Sequence, residues 1–120
     1  MRNSRKFTWL PVLILTWSLC GSVVAFDQTN ETIMYRDWPI HENGSSVMDL
    51  PQVRSILKKF EEADGMSIEI RYPGGDAGRQ WAVSVAGWLV SFGIPVGYME
   101  LLPGSGGPDQ LVLTLIDRRT

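Results

Sequence analysis

Residues 71–81, RYPGGDAGRQW, gather the side chains best suited to hold a ligand: an acid and a base, Asp76 and Arg79, behind a Pro-Gly-Gly bend and close to Tyr72. If the bend opens a helix, the backbone N–H groups of Gly74, Gly75 and Ala77 point outward at its positive end, where an anion is favoured. Two features count against a phosphate cradle. The pattern G-x-x-x-x-G-K-[ST] is absent, and Asp76 stands where the anion would sit. The simpler reading is a bend in which Asp76 caps the helix, its carboxylate accepting from the N–H of Gly78 or Arg79. Tyr72, Asp76 and Arg79 are the candidate ligand-binding residues.

Catalytic chemistry finds little material. His41 is the single histidine; it lies in an irregular stretch with Asp37 and Glu42 nearby, and a lone histidine there is expected on the surface. No Gly-x-Ser-x-Gly elbow and no His-Glu-x-x-His helix occurs. Glu61 and Glu62 project at adjacent helix angles into water, which gives neither the environment of a general base. Trp81 and Trp88, two turns apart, could stack on a sugar, but their register with Val85 and Leu89 assigns them to a core. The expectation is a protein that is not an enzyme, with no catalytic residue, no metal ligand and no cofactor.

The first 25 residues place Arg2, Arg5 and Lys6 before an apolar run from about Trp9 to Leu19, then small residues up to Ala25. This is the pattern of a secretory signal peptide, with cleavage expected after Ala25. Pro11, Thr16 and Ser18 interrupt the run, which is shorter than the roughly 20 apolar residues a span needs. Leu19 ahead of Cys20 argues against lipid attachment at that cysteine, the only one in the chain. Cleavage leaves 8 Lys and Arg against 13 Asp and Glu, a formal charge of −5, without the clustered cations a nucleic-acid partner requires. The expected location is the periplasm. About 95 residues remain, enough for one small domain.

The elements that must position the candidate residues are legible from periodicity. Residues 26–48 are mostly polar and least defined, with a short strand expected through Ile33 and Tyr35 toward Trp38, then a loop at HENGSS. Val53, Ile56, Leu57 and Phe60 follow the i, i+3, i+4, i+7 spacing of an amphipathic helix opened by Pro51. MSIEIRY alternates, with Met66, Ile68, Ile70 and Tyr72 on one face. A second helix is expected over 77–92, capped by Gly93, then a strand in VGYMELL. The strand, helix and second strand make a βαβ unit with parallel strands. QLVLTLID, apolar on both faces, is expected inside the sheet or against a partner. DRRT is a charged tail. The fold class is α/β, an α+β sandwich of two amphipathic helices on a small mixed sheet.

The segment SVAGWLVSFGIPVGYMELLPGSGGPDQLVL, residues 84–113, resembles the second half of an OmpA-like domain, the peptidoglycan-associating module of bacterial envelope proteins. In that family an amphipathic helix ends in a Gly-Ile-Pro-like turn, followed by a strand and a glycine-containing loop with proline. The matching parts are the helix at 82–92, Gly93-Ile94-Pro95, the strand at 98–102 and the loop at 104–108. The helix at 50–63 and the strand at 67–72 match in order, so the resemblance covers about residues 50–117, within a domain at 49–117. The family binds the diaminopimelate of peptidoglycan with an aspartate just after the strand and an arginine immediately before an alanine of the second helix. Here the first place holds Pro73 or Gly74 and the second holds Trp81 ahead of Ala82. Asp76 and Arg79 remain as a displaced acidic and basic pair. The resemblance implies a cell-envelope binding or scaffolding module of a Gram-negative bacterium. Its partner would be an envelope protein or, through the remodelled turn, peptidoglycan.

Overall fold

Seven regular elements, in the order strand, two helices, strand, helix and two strands, build the part of the chain that the structure, a computed structural model, describes: residues 29–118. The signal segment at 1–25, Cys20 and the last two residues of the charged tail lie outside the described residues.

Strand β1 is Asn30–Met34, helix α1 Gly44–Met48 and helix α2 Pro51–Glu62. Strand β2 is Met66–Tyr72, helix α3 Asp76–Ser91, strand β3 Met99–Pro103 and strand β4 Gln110–Asp117. The sheet order is β1-β4-β2-β3; β2 and β3 are parallel, as the βαβ reading requires, and the other pairs antiparallel. QLVLTLID is thus an interior strand, paired along both edges, as expected for a strand inside the sheet.

Register sets the core. Ile33 lies opposite Leu111, Ile70 opposite Leu113 and Ile68 opposite Leu115, so six aliphatic side chains share one face and all are buried. Helix α2 brings Val53 and Ile56 onto that face near β1 and β4, and α3 brings Trp81, Val85 and Leu89 near β2 and β3. The result is an α+β sandwich of helices on a four-stranded mixed sheet, as the periodicity predicts, with the short α1 as a third helix. On the opposite face Thr114 Oγ1 and Asn30 Oδ1 hydrogen-bond at 2.8 Å, and Arg71 Nε donates to Glu69 at 2.9 Å. Among the described residues no helix is long and apolar enough to cross a membrane.

The sequence expectations fail at four places, each for a local reason. The strand expected in VGYMELL starts only at Met99, because Val96–Tyr98 form a 3₁₀ turn in which Tyr98 N–H donates to Pro95 O at 3.0 Å. The first strand stops at Met34, because the Tyr35 N–H turns away to donate to Asp109 O at 2.8 Å and residues Tyr35–Asp37 form a 3₁₀ turn. HENGSS is half helix: Asn43 accepts from the Ser46 N–H at 2.8 Å while Ser46 Oγ accepts from the Asn43 N–H at 3.0 Å, a capping box that starts α1. Asp76 does not cap α3. Gly75 occupies the cap position at φ 93°, a conformation open to glycine, and Asp76 is the exposed first residue of the helix, with no side-chain capping bond. Its charge there still favours the helix dipole.

Candidate functional site

Three stretches distant in sequence meet beyond the carboxyl end of β2. The first is the Pro73-Gly74-Gly75 bend. Helix α3 rides so closely on it that a Cβ added at Gly78 would lie 1.8 Å from the Pro73 carbonyl oxygen. The second is the loop at 104–109, held to β2 by Gly104 N–H donating to Tyr72 O at 2.9 Å. Inside the loop, Gln110 Nε2 donates to Ser105 O at 2.7 Å and Ser105 Oγ to Gly107 O at 2.9 Å. The third is the segment after β1, which carries Tyr35, Trp38 and Glu42.

Between them runs an open groove of about 500 Å³. Trp81, buried, lines its floor; the Tyr35 ring stands edge-on to it at 5.0 Å and 84°, and the Trp38 ring at 6.4 Å and 65°. Tyr35 is 59% exposed, so its ring also meets solvent at the groove. Glu42 ties the aromatic cluster together. One carboxylate oxygen accepts from Trp38 Nε1 at 3.1 Å and the other from Trp88 Nε1 at 2.7 Å. The Trp81 Nε1–H is buried and has no hydrogen-bond partner among the described residues. Asp109 and Pro108 close the far side. A second hollow of about 340 Å³ shares Pro73, Gly74 and Pro108 with the groove and continues along the glycine loop.

The residues singled out from sequence are placed apart. Tyr72 is buried, 8% exposed, and belongs to the core. Asp76 and Arg79 are both exposed on the first turn of α3, and no ion pair joins them. Neither lines the groove, whose α3 wall is Ala77, Gly78, Gln80, Trp81 and Ser84. His41 is exposed. Trp81 and Trp88 share a helix face as expected, Trp81 in the core and Trp88 half-buried against it.

Sequence reasoning missed Tyr35, Trp38, Glu42 and Asp109 as neighbours of that helix. One signal was available: two aromatic residues, Tyr35 and Trp38, in an otherwise polar stretch. Arranged around a groove, rings and carboxylates can bind and orient a ligand. The hydroxyls in its lining are those of Tyr35 and Ser84, and the carboxylates those of Glu42 and Asp109. No protein-family model matches the chain, and no curated protein matches it.

Proposed function

We propose that this chain is a non-catalytic binding module of an exported periplasmic protein, serving cell-envelope organisation, and that an envelope protein docks in the groove beside Trp81. One observation carries the reading. The places where the OmpA-like resemblance would put a wall-binding aspartate and arginine hold Pro73 or Gly74 and Trp81, and all three residues line the same groove. The element order supports it too. Helix 51–62, strand 66–72, helix 76–91, the Gly93-Ile94-Pro95 turn, strand 99–103 and a glycine loop follow one another as in that resemblance.

In such a site the ion pair suited to a zwitterionic amino acid is replaced by an indole and a bend, with Tyr35, Trp38 and Glu42 added opposite. A large aromatic surface beside a few placed polar groups suits a protein anchor, since buried aromatic contacts dominate such interfaces. The competing reading is residual peptidoglycan binding through Asp76 and Arg79. Their joint exposure on one helical turn favours it.

Sedimentation of purified residues 26–120 with isolated peptidoglycan separates the two. The proposal expects the parent to stay in the supernatant. Pelleting abolished by Trp38→Ala would keep the groove as the docking site and make the wall its partner. Pelleting that survives Trp38→Ala and disappears in the Asp76→Ala, Arg79→Ala double variant would move the site to the displaced pair and overturn the proposal.

A further inference from the structure

The charged side chains lining the groove are both carboxylates, Glu42 and Asp109; no lysine, arginine or histidine lines it. Arg36 lines a separate hollow of about 230 Å³ that shares Tyr35 and Asp109 with the groove. Each oxygen of Glu42 already accepts one indole N–H, which fixes the carboxylate in place. Carboxylate oxygens have two lone pairs each, so acceptor capacity remains on both. Asp109 is exposed, and among the described residues its backbone oxygen accepts from the Tyr35 N–H while no hydrogen bond or ion pair engages its carboxylate.

The rings add attraction of the same sign. Tyr35, Trp38 and Trp81 line the groove, with Tyr35 and Trp38 packed edge to face against Trp81, and an aromatic face left open attracts an ammonium or guanidinium through its quadrupole. An anion would meet two carboxylates instead, which outweigh the half-charge of the α3 N-terminus nearby.

On the reading of the groove as a docking site, we infer that it receives the cationic head of a lysine or arginine side chain from a partner polypeptide. The aliphatic stem of such a side chain lies along the apolar floor made by Ala77 and Trp81 while its head reaches Glu42 and Asp109. The geometry suits a side chain on a backbone better than a free cation, because the groove is open and runs on past Pro73 and Pro108 into the second hollow. That continuation gives an extended segment somewhere to lie. The formal charge of −5 over residues 26–120 draws basic partners toward the surface as a whole.

Residues 26–120 contain three tryptophans, Trp38, Trp81 and Trp88, and all belong to this cluster. Tryptophan fluorescence therefore reports on the groove. The probes are acetylated, amidated tetralysine, the matching tetraglutamate, and a purified muropeptide. The expected result is a saturable change with tetralysine and none with tetraglutamate. Asp109→Asn should raise the half-saturating concentration by about five- to ten-fold, as loss of one charge partner does. Asp76→Asn, which removes the same charge outside the groove, should change it by less than about two-fold.

No response to tetralysine, an equal response to tetraglutamate, or equal weakening by the two Asp→Asn variants would overturn the inference. Saturation by the muropeptide without a response to tetralysine would also overturn it, while leaving the groove as a docking site for a different ligand.

Discussion

Trp88 donates its indole N–H to Glu42 at 2.7 Å, joining the last turn of α3 to a residue just ahead of α1. The same carboxylate takes the indole N–H of Trp38 at 3.1 Å. One acid therefore fixes the segment carrying Tyr35 and Trp38 against the helix that carries Trp81. Hydrogen bonds to a charged acceptor are worth about 1.5–3 kcal/mol each when shielded, and less when exposed as the Trp88 bond is. Glu42→Ala is expected to lower stability by about 1–3 kcal/mol in a urea titration, and Glu42→Gln, which keeps one good acceptor, by roughly half of that.

Trp81 combines a buried ring with a buried donor that lacks a partner. Trp81→Ala should cost about 3–5 kcal/mol, the range of large-to-small core changes. Trp81→Phe keeps much of the ring and deletes a donor that gains nothing where it is, so its cost should stay below about 2 kcal/mol. Chemical denaturation of the two variants side by side checks this. A loss under about 1 kcal/mol for Trp81→Ala would contradict the core placement.

Two glycines of α3 should respond to alanine with opposite signs. At Gly78 the new methyl would overlap the Pro73 carbonyl, so the bend or the helix must shift, and a loss of about 1–3 kcal/mol or more is expected. At Gly87 nothing lies within 4 Å of the added atom, and replacing a glycine in an exposed helix interior should add about 0.5–1 kcal/mol. Thermal melts of the pair test how closely α3 is seated on Pro73.

The Lys58–Glu62 pair on α2 spans 3.1 Å with both side chains more than half exposed. Lys58→Ala should therefore change stability by less than about 0.5 kcal/mol. Glu31 is the better candidate for a measurable polar contribution: its carboxylate, 22% exposed, accepts from Ser55 Oγ at 2.7 Å and lies 3.9 Å from Lys59 Nζ. Glu31→Ala should cost about 1–2 kcal/mol in the same denaturation assay.

The elements legible in the sequence were those whose burial repeats at a fixed spacing. Val53, Ile56, Leu57 and Phe60 mark α2; the alternation from Met66 to Tyr72 marks β2; the unbroken apolar run in QLVLTLID marks an interior strand. The parallel pairing of β2 with β3 followed from chain length between them and the handedness of crossovers. The groove was not legible in the same way. Tyr35 and Asp109 meet through one backbone bond, and Glu42 and Trp88 through one side-chain bond; neither contact leaves a periodic trace in the residues around it. Asp76 has the residue type of a cap, but Gly75 beside it takes the cap position with a backbone angle that no composition rule reveals.

Strand β4 lies between β1 and β2 yet follows both in the chain, so the order of synthesis differs from the order of assembly. A nascent chain that has not reached residue 110 holds β2 and β3 with the helix between them, but β1 has nothing to pair with, and Leu111, Leu113 and Leu115 are missing from the centre of the core. Such long-range pairing forms late and slowly. Until β4 emerges the sheet has no centre to close on, and the last pairing to form is the one that makes it whole.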